Sequence, residues 1–173
     1  MIEIEDSKEM NIRAAIITLS DKGSKGERED ESGQVIRRLL EGLGAVIEHY
    51  EILPDEKQRI IEALKRLSDS GTIDLIITTG GTGVSPRDVT PEATLEVIDR
   101  DLPGMAEAMR AESLKKTPRA MISRAIAGIR KRTLIVNLPG SPRAVRENLA
   151  VILPALSHAI EKINGDPREC GSV

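Results

Sequence analysis

Five segments of this 173-residue chain hold the residue types from which a chemical site could be built. Gly80-Gly81-Thr82-Gly83 follows the hydroxyls of Thr78 and Thr79 and runs into Pro86-Arg87-Asp88-Val89-Thr90-Pro91-Glu92. Clustered glycines let backbone N–H groups close on an anion, which suits phosphate. The segment is not a Walker A loop, since no Gly-Lys-Ser/Thr follows, and it lacks the GxGxxG spacing of a dinucleotide fold. On its own the tetrapeptide reads equally as a phosphate cradle or as a tight turn. Arg87 and Asp88 then place a cation and a carboxylate beside a helix start, where an anion and a divalent metal could both sit. The plainer alternative makes Asp88 a helix cap and pairs Arg87 with a surface acid. Thr90 is the better-placed cap, which leaves Asp88 free.

The other four segments are more ambiguous. Asp55 follows Pro54 and, as an isolated feature, reads as an N-cap; beside Asp88 it becomes a second oxygen ligand for Mg²⁺ against a triphosphate. Ser20-Asp21-Lys22-Gly23, continuing to Glu29-Asp30-Glu31-Ser32-Gly33, is either a mobile surface loop or a ligand lid. Asn137-Leu138-Pro139-Gly140-Ser141-Pro142 is a rigid turn that presents a hydroxyl and N–H groups, with simple helix initiation as the alternative. Ser123-Arg124 could offer a hydroxyl and a cation to an anionic substrate, or be surface decoration. His49 and His158 have no partners at metal-ligand spacing. Lys115-Lys116 and Arg130-Lys131-Arg132 read as solvated turns, and Tyr50 as a strand residue packed against a helix.

Composition narrows the ligand class. With 25 Lys+Arg against 28 Asp+Glu the formal charge is −3, and the one aromatic residue is Tyr50. Aromatic base-stacking platforms are excluded, and a basic surface that binds duplex nucleic acid by counterion release is not expected. Small ligands fit better. Cys170 is the single cysteine, so neither an intramolecular disulfide nor a CxxC zinc site can form. The start MIEIEDSKEM is acidic where a signal peptide is basic and then apolar, and no run reaches the roughly 18 apolar residues of a membrane span. A cytoplasmic protein, with no membrane and no nucleic-acid partner, is the expectation.

The elements that must position these residues alternate between strand and helix. Arg13 to Leu19, Val46 to Leu53 and Leu75 to Thr79 read as buried strands. Ser32 to Leu43 and the stretch after Asp55, with Ile60, Ile61, Leu64 and Leu67 on one face, read as amphipathic helices. Thr90-Pro91-Glu92 opens a helix expected to reach about Arg100, and Pro103 opens another. Ala125 to Arg130 and Thr133 to Leu138 follow as two strands, and Pro142 to Asn164 as a closing helix that Pro154 should kink. This order predicts an α/β fold, a three-layer α/β/α sandwich with a mostly parallel central sheet. Ligands in such folds bind beyond the carboxyl ends of the strands. Ser20-Asp21, Pro54-Asp55, Gly80 to Asp88 and Asn137 to Pro142 should therefore share one rim. Residues 12–166 form the domain, with 1–11 as an extension and 167–173 as a tail.

The stretches TTGGTGVSPRDVTPEAT from Thr78, DLPGMAEAMR, SLKKTPRAMISRAIAGIR and TLIVNLPGSPRAV occur in order and strongly resemble the MogA/MoaB molybdenum cofactor biosynthesis family. The likeness runs from about Ile12 to Asp166. It implies a molybdopterin adenylyltransferase that transfers AMP from Mg-ATP to the phosphate of molybdopterin, with a non-catalytic molybdopterin-binding or carrier protein as the alternative. It further implies a homotrimer or hexamer working beside the molybdopterin synthase and molybdenum-insertion proteins. Transferred residue by residue, the Mg²⁺-ATP carboxylates fall on Asp55 and Asp88 and the glycine loop on Gly80, Gly81, Thr82 and Gly83. Ser20, Asp21, Asp30, Ser32 and Gly33 match the first loop. Ser123, Arg124, Pro139, Gly140 and Ser141 fall on segments lining the pterin and nucleotide site. Gln34 and Lys22 depart from the common first-loop pattern.

Overall fold

The computed structural model describes residues 11–167. Cys170 and the acidic N-terminal stretch lie outside the described residues. The elements are β1 (Arg13–Leu19), α1 (Asp21–Ser24), α2 (Glu31–Glu41), β2 (Val46–Leu53), α3 (Lys57–Asp69), β3 (Leu75–Thr79), α4 (Thr90–Leu95), β4 (Arg100–Asp101), α5 (Pro103–Leu114), a 3₁₀ turn (Pro118–Ile122), β5 (Ala127–Arg130), β6 (Thr133–Leu138) and α6 (Pro142–Ile163). The strands form one sheet in the order β2-β1-β3-β6-β5-β4. Its first four strands are parallel, while β5 and β4 are antiparallel to their neighbours. The expected three-layer, mostly parallel architecture is the one observed.

Strand alternation explains the layers. Ala14, Ile16, Leu75, Ile77, Leu134 and Val136 point to one face, where α2, α5 and α6 cover them. Ala15, Ile17, Ile76 and Ile135 point to the other, against α3 and α4. A core without Phe or Trp is filled here by branched aliphatics, which pack well on a pleated surface buried on both sides. Register then sets the functional end: Thr18 lies beside Thr79, and Thr79 beside Leu138. The chain leaves these three strands at one level, so Ser20, Gly80 and Pro139 begin neighbouring loops.

Two local expectations need correction, the end of α4 and the state of Arg130 and Lys131. α4 ends at Leu95 rather than near Arg100, because the backbone N–H of Asp99 bonds to the Ile129 carbonyl at 2.8 Å and Arg100–Asp101 pairs with β5. That pairing satisfies the edge of β5, which outweighs further helix. α6 contains Pro154 as expected, with the proline on its exposed side, where the lost N–H bond costs least. Arg130 and Lys131 are not free solvated cations. The Arg130 guanidinium donates to both carboxylate oxygens of Asp69 at 2.9 Å, and Lys131 Nζ lies 2.9 Å from the same group.

This cluster fastens the end of α3 to the β5–β6 hairpin, and the Arg130 hydrogen bonds hold the Asp69 carboxyl down at about 2, from an ordinary 3.8. A depressed acid stabilises the fold above its unfolded value and loses that contribution as pH falls through its folded value. Asp69→Asn should therefore lower the thermal unfolding midpoint at neutral pH. The gap from wild type should close as pH is taken from about 4 towards 2, read by circular dichroism.

Candidate functional site

The glycine turn is built from buried hydroxyls and close backbone contacts. Thr90, expected as an N-cap, lies inside α4, whose N-cap is Val89, and its hydroxyl donates to the Gly80 carbonyl at 2.9 Å. Beneath it, the amide of fully buried Asn137 donates to Thr78 Oγ1 and Thr94 Oγ1, both at 3.0 Å. Thr79 donates to the Pro139 carbonyl at 2.7 Å, tying this turn to the next loop. Gly80 adopts φ +97° and lies so close to the Leu19 carbonyl that a Cβ would collide with it. Only glycine meets both demands.

The acidic residues are not simple caps. The N-cap of α3 is Glu56, without a side-chain bond, so Asp55 is free of that role. Asp55 and Asp21 instead exchange bonds. The Asp21 N–H donates to Asp55 Oδ2 at 3.1 Å, and the Asp55 N–H donates to Asp21 Oδ1 at 3.0 Å. Arg87 clamps Asp21 through Nε at 3.0 Å and Nη2 at 2.7 Å, so the surface-acid alternative is correct for Arg87. Those guanidinium bonds pull the Asp21 carboxyl below its ordinary value. Burial pushes Asp55 up, and the negative charges of Asp21 and Asp88 add to the rise. Asp88 is partly committed, since Oδ2 accepts from the Ser85 N–H at 2.8 Å.

Arg124 is neither surface decoration nor a free cation. It donates to the Gly83 carbonyl at 2.6 Å and the Asp88 carbonyl at 2.6 Å, and pairs with Glu92. Its own N–H bonds to the Thr82 carbonyl at 2.8 Å. It is the strut that shapes the 83–88 loop.

Two clefts open along this rim. The first, about 600 Å³, is walled by Ser20, Asp55, Gly80, Gly81, Asp88, Gly140 and Ser141, together with Thr18 and residues 28–32. The second, about 450 Å³, takes in Gly81, Thr82, Gly83, Asp88, Ser123, Pro139, Gly140 and Ser141. Gly81, Asp88, Gly140 and Ser141 belong to both walls. Asp21 and Arg124 line neither and act behind them. Ser141 also caps α6, accepting from the Ala144 N–H at 3.2 Å. Among the described residues no group of three or more acids, histidines or cysteines could hold a metal ion by itself. Asp55 and Asp88 suit Mg²⁺, which one or two carboxylates hold when substrate phosphates and water complete its shell.

The model of the family described as "Probable molybdopterin binding domain" matches residues 15–158. The chain belongs to this family of molybdenum cofactor biosynthesis proteins. It is 44% identical over 157 residues to a molybdopterin adenylyltransferase of Helicobacter pylori, spanning 90% of this chain and 89% of the relative. Gephyrin of Dictyostelium discoideum is 44% identical over 171 residues, which are 93% of this chain and 24% of gephyrin. The crystal structure of the molybdopterin biosynthesis enzyme MoaB from Thermus thermophilus superposes with a TM-score of 0.85 at 49% identity, covering 91% of this chain and 99% of that one.

Several lining residues are not singled out as site candidates by the sequence, although Arg110, Ser113 and Arg119 fall within stretches that carry the family resemblance. Arg28 reaches the first cleft, and Arg110, Ser113, Arg119 and Asn148 reach the second. Polar residues on α5, α6 and the 3₁₀ turn look like ordinary helix surface until the helices are packed. Arg124→Lys keeps the charge but cannot span three acceptors. It should cost about 1–2 kcal/mol of stability, reduced by partial exposure, and hasten protease cleavage within 83–88; unfolding curves and limited proteolysis check both.

Proposed function

We propose that this protein is a molybdopterin adenylyltransferase, joining the adenylyl group of ATP to the terminal phosphate of molybdopterin. The observation that carries this reading is the pair of clefts with a shared wall at Gly81, Asp88, Gly140 and Ser141. A group transfer between two bound molecules needs their reacting ends at one boundary. The first cleft, with its hydroxyls and glycines, with Arg28, and with Asp55 and Asp88 among its five acids to take a divalent cation, suits the polyphosphate of ATP as its Mg²⁺ complex. The second, with Ala120, Ile122 and Ala144 beside Arg110 and Asn148, suits a flat heterocycle with polar edges. The relatives named molybdopterin adenylyltransferase, at 44% and 38% identity, support the same assignment.

The chemistry asks little of a general base. A phosphate monoester has its second pKa at about 6, so the attacking oxygen is largely ionised at neutral pH. It attacks the α-phosphorus, a new P–O bond forms, and the bond to the β-phosphate breaks with release of pyrophosphate. The difficulty is bringing two polyanions together, so positioning and charge neutralisation do the catalysis. Asp55 and Asp88 are the residues that would hold Mg²⁺, which supplies neutralisation of phosphate charge when bound. The negative surroundings of Asp55 favour a cation there. The N–H groups along Gly81 to Gly83 orient phosphate oxygens. Arg87 and Arg124 are engaged elsewhere, which leaves Arg28 on the first cleft wall and Arg110 and Arg119 on the second, Arg110 also donating to the Ala125 carbonyl at 2.7 Å.

Mixed with molybdopterin and Mg-ATP, the protein should release pyrophosphate only when the pterin is present. Asp88→Ala should cut that release by about 100-fold or more while pterin binding persists. Release without pterin would indicate a nucleotide hydrolase, pterin binding without release a carrier, and unchanged release by the variant would remove Asp88 from the mechanism.

A further inference from the structure

Tyr50 is the sole aromatic side chain of the protein and is absent from both cleft walls. It stands on β2, the outermost strand, opposite Ile16 of β1, where an aliphatic residue would serve packing equally well. Its hydroxyl, however, donates to Asp30 Oδ2. The same oxygen accepts from Thr18 Oγ1 at 2.6 Å, and Asp30 Oδ1 accepts from the Gly33 N–H at 2.9 Å, capping α2. Three donors from β1, β2 and α2 thus converge on one carboxylate. There is no room for more: a Cβ on Gly33 would lie 2.5 Å from the Tyr50 hydroxyl and 2.9 Å from Thr18 Oγ1. One turn further, the Arg37 guanidinium stands 4.8 Å above the Tyr50 ring. α2 is therefore gripped by Tyr50 at two points.

What is gripped is part of the cleft. Asp30, Glu31 and Ser32 line the first cleft and none of them lines the second. Ser32 Oγ donates to the Gly140 carbonyl at 2.7 Å, so the start of α2 is joined to the loop that both clefts share. We propose that Tyr50 is a positioning residue for the substrate of the first cleft: its hydroxyl fixes Asp30, and through Asp30 the α2 end of that wall. The hydroxyl keeps its proton at any working pH, since burial and the Asp30 bond push it up to about 12. This inference rests on the reading of the first cleft as a substrate site, with ATP as its occupant.

Tyr50→Phe tests it, because the ring and its contact with Arg37 stay and one hydroxyl goes. The loss of a hydrogen bond to a charged group should raise KM for ATP by about tenfold, with kcat and KM for molybdopterin within about twofold. Arg37→Met, which frees the ring and leaves the hydroxyl, should raise the same KM by about threefold. A rise confined to the molybdopterin KM would uphold the positioning role and overturn the assignment of ATP to this cleft. A fall in kcat alone, equal changes in both KM values, or no change in either would overturn the positioning role. Thermal unfolding of each variant separates lost fold from lost position, and a folded Arg37→Met protein decides the matter should Tyr50→Phe not fold.

Discussion

The arrangement depends on how closely three strand ends are allowed to approach. β1, β3 and β6 are parallel and in register, and their loops must turn away within a few ångströms of one another. Gly80 meets the Leu19 carbonyl on one side, and on the other a Cβ on Gly140 would stand 3.3 Å from the Gly80 Cα. Side chains at these points would spread the loops and separate the two clefts. Close backbone approach therefore does two jobs at once: it packs the turns and puts a shared wall between neighbouring cavities.

Charge completes what backbone proximity begins. The three acids near the turn, Asp21, Asp55 and Asp88, repel one another unless something compensates them. Asp21 is compensated internally by Arg87 and by the N–H of Asp55. Asp88 has the Ser85 N–H, while Asp55 accepts from the Asp21 N–H yet still rises through burial. The cations that a local reading assigns to substrate are instead structural. Arg87 holds the first loop and Arg124 the glycine loop, so the rim arrives preformed with two carboxylates facing open space. Such preorganisation favours a reaction limited by positioning rather than by proton transfer.

Much of this was legible in the sequence because strands and loops announce themselves locally. The apolar run Leu75 to Thr79 ending in glycines identifies a buried parallel strand and its loop, and the α2 and α3 periodicities hold to within about two residues. The convergence of Asp55 and Asp88 on one cleft follows from the rule for ligands at strand ends. Long-range partnerships were not legible. Nothing near Arg124 says that its acceptors lie 32 to 41 residues away, and nothing near Asp55 says that a backbone N–H of the first loop will engage it. Thr90 has the look of a cap, but the buried Gly80 carbonyl competes for its hydroxyl and wins because no water reaches it. α4 stops early because a sheet edge elsewhere needs its backbone partners.

The central claim is that Asp55 and Asp88, distant in sequence, serve one divalent ion with the nucleotide. The most direct measurement is a double-mutant cycle on the Mg²⁺-dependent affinity for a non-hydrolysable ATP analogue, using Asp55→Asn, Asp88→Asn and the pair, by titration calorimetry. If both act through one ion, the second substitution should cost little once the first is made, leaving a coupling of about 1–3 kcal/mol. Losses that add fully, or analogue binding indifferent to Mg²⁺ in the wild type, would contradict it.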